Sequence, residues 1–159
     1  MVSWPPTISK VGVRTRASRP AVRSGRPPRE TTTCTSARSS VAALGQLARR
    51  PEVDAEHLGA IGFCLGGSIV LTWSCTDNRL AAIAPFYGAA PKPREAIHRT
   101  CPVVGSWPDK DFTTKAAGVL ETELTAAGVP HDLKVYPGAK HAFFNDQWRN
   151  YDPTAAADS

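Results

Sequence analysis

The 159-residue sequence has no apolar run that approaches the ~20 residues of a membrane span, and it does not open on an apolar signal segment. No membrane partner is expected. Cysteines are few. Cys34, Cys64, Cys75 and Cys101 show no Cys-x-x-Cys spacing, which suits a reducing, cytoplasmic setting better than a disulfide framework. Acidic residues are scarce in the first third. Residues 1–50 hold ten Lys/Arg against the single acid Glu30, whereas residues 51–159 hold nine against thirteen acids. The net charge of +5 therefore belongs to the leading segment. The remainder is mildly acidic and offers no basic face for nucleic acid.

The leading segment also lacks periodicity. Residues 1–37 are rich in Arg, Ser and Thr, and Pro5, Pro6, Pro20, Pro27 and Pro28 oppose any helix. Three readings stand: a disordered or non-native leader, an Arg- and Ser-rich targeting segment, or a basic arm for nucleic acid. The prolines argue against the second, and the absence of interleaved aromatics or Gly-Arg repeats against the third. The expected division is a basic leader, 1–37, and an α/β domain, 38–159.

Order is expected from Ser39 or Ser40, either of which can cap a helix with Val41, Leu44, Leu47 and Ala48 on one face and Pro51 beyond its end. Leu58 to Phe63 reads as a buried strand, followed by a helix from about Leu65 to Cys75. Leu80 to Phe86 reads as a second buried parallel strand, and Pro102 to Ser106 as a third. Thr113 or Thr114 can cap a helix carrying Ala116, Leu120, Leu124 and Ala127, ended by Gly128 and Pro130. Asp132 to Tyr136 is a fourth strand, with a loop over Pro137 to His141 and an aromatic, then Ala-rich, tail. Strand and helix alternate, so the class is α/β with a parallel sheet flanked by helices.

The most informative stretch is Gly62-Phe63-Cys64-Leu65-Gly66-Gly67. Strand, sharp turn, nucleophile and helix make the Gly-x-Cys-x-Gly form of a nucleophile elbow. The turn strains its central residue, and glycines two places away permit close backbone approach. The helix N-terminus favours a thiolate and a developing oxyanion. The plainer reading is a buried cysteine on a glycine-rich nucleotide loop, but Gly-x-Gly-x-x-Gly and Gly-Lys-[Ser/Thr] are both absent. Asp111 and His141 follow in the chain order nucleophile, acid, histidine, each after a strand's carboxyl end. His57, His98 and His131 fall in a linker, a loop and a strand. Asp109 is the alternative acid, and a helix-start carboxylate is the plainer reading of Asp111.

With Pro85-Phe86-Tyr87-Gly88, Asp109-Lys110-Asp111, Tyr136-Pro137-Gly138 and His141-Ala142-Phe143, the elbow resembles the dienelactone hydrolase family over about Ser40 to Asp158. The resemblance implies a partial α/β-hydrolase fold with neither metal nor cofactor, acting on a small-molecule ester or lactone. It implies that Cys64 attacks the carbonyl, His141 moves the proton, Asp111 holds the imidazole, and the Leu65 backbone N–H is one oxyanion donor. The family carries further strands before the elbow and a last helix after it. Those strands supply a second oxyanion donor, a Glu near the cysteine and an Arg for a substrate carboxylate. Nothing in residues 1–37 resembles them, and the sequence stops where the last helix would begin. A truncated, inactive or edge-pairing product is the alternative expectation, since one lost oxyanion donor costs on the order of 10²–10³ in rate.

Overall fold

Strand and helix alternate as expected in the computed structural model, which describes residues 29–159. Helix α1 runs Arg29–Leu47, strand β1 Gly59–Phe63, helix α2 Leu65–Ser74 and strand β2 Ala82–Phe86. A 3-10 turn, Arg94–Arg99, leads into strand β3, Val103–Lys110. Helix α3, Thr114–Ala127, strand β4, His131–Lys140, and the short helix α4, Pro153–Asp158, complete the order. The four strands form one parallel sheet in the order β1-β2-β3-β4. No described helix is long and apolar enough to cross a membrane.

The core lies on one face of the sheet. Ile83, Val103 and Trp107 pack there with Leu44 of α1, Val70 and Leu71 of α2, and Leu120 and Leu124 of α3. Residues paired across a parallel ladder share a face, so Ile61, Phe63, Ala84, Phe86 and Val104 lie on the other side. Near the carboxyl ends that side is covered by Phe143 and Ala155, packed on Phe86 and Tyr136. Elsewhere it is open: Ile61 and Phe63 on β1 and Val104 at the start of β3 are exposed. The expectation of a fully buried elbow strand is therefore corrected. β1 is an edge strand of the described sheet with one covered face.

Three boundaries also differ from expectation. Helix α1 begins at Arg29, not at Ser39 or Ser40; Ser40 Oγ donates back to the Ser36 carbonyl at 3.1 Å, the bond of a residue inside a helix. The rest of the expected leader, residues 1–28, lies outside the described residues. Strand β3 continues through Trp107-Pro108-Asp109-Lys110, and β4 through Pro137-Gly138 to Lys140. The tail closes in α4, where Asp152 Oδ1 accepts from the Thr154 and Ala155 N–H groups.

Candidate active site

Cys64 stands between β1 and α2 with φ 56° and ψ −117°, a conformation that costs a non-glycine residue energy. Its surroundings enforce it. A Cβ on Gly62 would lie 2.2 Å from the Gly66 carbonyl oxygen, and one on Gly67 would lie 2.6 Å from that of Phe86. The close approach thus demands Gly62 and Gly67. Gly66 faces open space, so its glycine is not required sterically. The Cys64 N–H donates to the Phe86 carbonyl at 3.0 Å, tying the elbow to β2. Cys64 is exposed, at the first turn of α2.

Three of the side chains singled out in the sequence come together. His141 Nε2 lies 3.0 Å from Cys64 Sγ, and His141 Nδ1 lies 2.6 Å from Asp111 Oδ2. The Asp111 side chain is 2% exposed and that of His141 27%. A carboxylate only accepts, so Nδ1–H donates to Asp111 and Nε2 is turned to the thiol. The other histidines are engaged elsewhere. His57 pairs with Asp54, His98 with Glu123, and His131 Nδ1 with the Val129 carbonyl. Asp109 is exposed on β3. Among the described residues, no three His, Cys, Asp or Glu side chains are grouped to hold a metal ion.

Several supporting residues carry no motif. Thr113 Oγ1 donates to Asp111 Oδ2 at 2.7 Å, and Thr114 Oγ1 reaches the Pro108 and Asp111 carbonyls. Both threonines read as caps for α3, yet neither hydroxyl bonds an α3 N–H; they fix the Asp111 turn instead. Asn150 Nδ2 donates to the His141 carbonyl at 2.9 Å. The Phe112 ring stacks on the imidazole at 5.2 Å and 23°, and Tyr87 packs near it at 5.0 Å. Burial, and secondarily the charge of Cys64, pushes the Tyr87 phenol up to about 12, so it stays neutral at physiological pH. Only the adjacency of Thr113 to Asp111 and of Phe112 to the strand end hints at these contacts.

A model of the dienelactone hydrolase family matches residues 15–159. A "Putative carboxymethylenebutenolidase" of Saccharolobus solfataricus is 36% identical over 105 residues, covering 63% of this chain and 39% of that protein. One of the same name from Synechocystis sp. is 36% identical over 121 residues, covering 69% and 49%. The crystal structure of a "Putative Dienelactone Hydrolase" from Klebsiella pneumoniae superposes with a TM-score of 0.71 at 27% identity, covering 79% of this chain and 57% of that one. The chain spans 39% and 49% of the lengths of the two curated relatives. With a match that takes in all but its first 14 residues, the chain belongs to the dienelactone hydrolase family.

Proposed function

We propose that the chain is a cysteine-dependent hydrolase of small esters or lactones. One observation carries the reading: a single imidazole bridges an exposed elbow thiol and a buried carboxylate. In the first step Cys64 Sγ forms a bond to the ester carbonyl carbon. The thiol proton passes to His141 Nε2, and the carbonyl electron pair moves onto oxygen. The Leu65 N–H, at the start of α2, donates to that oxyanion. Collapse of the intermediate breaks the carbon–oxygen bond, and the leaving alkoxide, which in a lactone is the ring oxygen, takes the proton from Nε2. Water then adds to the thioester with Nε2 as base, releasing the carboxylic acid and the free thiol. Asp111 holds the imidazole in the required tautomer throughout.

The test is p-nitrophenyl acetate hydrolysis by the full chain and its Cys64→Ala variant, with intact-mass detection of an acetyl adduct. The expected result is an adduct mapped to Cys64 and turnover that depends on it. Equal rates in both proteins with no adduct would refute the assignment. A second reading, a non-catalytic protein that pairs through its sheet edge, draws on the exposure of Ile61 and Phe63 on β1. Concentration-dependent association without Cys64 acetylation would favour it.

A further inference from the structure

The last residues of β3 and β4 are both lysines, and Lys110 is the ladder partner of Lys140. Like charges facing each other across adjacent strands are destabilising. Among the described residues, no side-chain hydrogen bond or ion pair engages Lys110, Lys140 or Arg149. All three nevertheless line one open surface depression of about 510 Å³, together with His141 and Asn150, and no acid is among its lining residues. Asn150 is tied to the His141 carbonyl, which holds the adjoining Arg149 backbone beside the site.

We propose that Lys110, Lys140 and Arg149 form a subsite for a phosphoryl group carried by the substrate. Assigning the group to a substrate rests on the hydrolase reading, whereas its binding does not. A carboxylate has two oxygens and one charge, which a single guanidinium fork satisfies. Two further ammonium groups around the same depression suit a ligand with three terminal oxygens and close to two negative charges. His141 lines the depression and its Nε2 is the contact of Cys64 Sγ, so the subsite adjoins the residue that serves the nucleophile. The subsite thus selects phosphorylated esters over neutral ones.

The full chain is titrated with inorganic phosphate, followed through backbone amide shifts, with acetate at matched ionic strength as the second arm. Saturable shifts centred on Lys110, Lys140 and Asn150, with phosphate preferred to acetate, are expected. Lys110→Gln and Lys140→Gln should each weaken phosphate binding about fivefold and Arg149→Gln about tenfold. Both lysine variants should unfold at a slightly higher temperature than the parent in phosphate-free buffer, because the like-charge pair is gone. Cys64→Ala should bind phosphate as the parent does, which separates this site from the hydrolase reading. In the parent, phosphate should compete with acetylation of Cys64. Non-saturable shifts, equal binding of acetate, or unchanged binding in the triple glutamine variant would overturn the subsite. Phosphate that binds without slowing acetylation would overturn its place on the substrate.

Discussion

The reactivity of the cysteines offers a direct test of the nucleophile. Cys75 is buried at the end of α2, the residue just after Ser74, and its thiol donates to the Leu71 carbonyl at 3.1 Å. Burial pushes the Cys75 and Cys101 thiols up to about 11, from an ordinary 9.0. Two units mean that the thiolate of either is ~100-fold scarcer than that of an unperturbed thiol, about one molecule in a thousand at pH 8. Alkylation proceeds through the thiolate, and burial also blocks the reagent. Cys64 is exposed, lies at a helix N-terminus, and has His141 Nε2 3.0 Å away to accept its proton. Iodoacetamide below stoichiometry at pH 8 should therefore label Cys64 at least ~100-fold faster than Cys75 or Cys101. Peptide mapping of the quenched, folded protein reads each site separately, Cys34 included. His141→Ala should slow Cys64 labelling and leave the other two unchanged. Preferential labelling of Cys75 or Cys101, with Cys64 inert, would refute the reasoning from burial to reactivity and with it the nucleophile.

Two further substitutions test the scaffold by urea unfolding. Gly62→Ala drives a Cβ to within 2.2 Å of the Gly66 oxygen and should cost about 3 kcal/mol, whereas Gly66→Ala meets open space inside α2 and should stabilise by about 0.5 kcal/mol. Effects of the same sign would contradict the close backbone approach at the elbow. Asp77 is buried, accepts from Arg79 and from the Trp73 indole, and is held down at about 2, chiefly by Arg79. Its folded value lies below its ordinary 3.8, so its contribution is complete above about pH 4 and is lost as pH falls towards 2. Asp77→Asn should destabilise by about 2 kcal/mol at pH 7 and by progressively less below pH 4; a difference constant from pH 7 to pH 2.5 would exclude the ion pair as the cause.

Much of the arrangement is legible in the sequence because it is local. Gly62 to Gly67 encodes the turn, and the close approach at Gly62 can be read from residue size, although the second glycine it demands is Gly67 and not the expected Gly66; an apolar run between turn signals marks each of β1 and β2. What stays hidden depends on partners distant in sequence. The run Leu58 to Phe63 is apolar throughout, yet only tertiary packing decides that Ile61 and Phe63 face outward while Ala60 packs on the core. Helix α1 reads short because its first residues, Arg29 to Arg38, are Thr- and Ser-rich and score poorly as helix; buried Ala37, part of the core where α1 packs on α2, shows what overrides that preference. Thr113 and Thr114 match a cap pattern, but Asp111 and the end of β3 compete for the same hydroxyls.

The most consequential of these differences concerns the prolines. Pro108 and Pro137-Gly138 look like strand terminators, and ending β3 at Ser106 would leave Asp111 five residues into a loop. The register explains why β3 tolerates its proline. β2 ends opposite Ser106, so from Trp107 onward β3 has only β4 as a neighbour, and the missing Pro108 N–H leaves no donor unpaired towards β2. The ladder with β4 shifts between Pro108 and Lys110, and Gly138 takes φ 80° on the other side of that irregularity. Both strands thereby outrun the elbow and finish together at Lys110 and Lys140. The next residue of each is Asp111 and His141. The continued strands and the shifted register are therefore what carry the acid and the histidine, side by side, to the level of Cys64, and the facing lysines are the electrostatic cost of that placement.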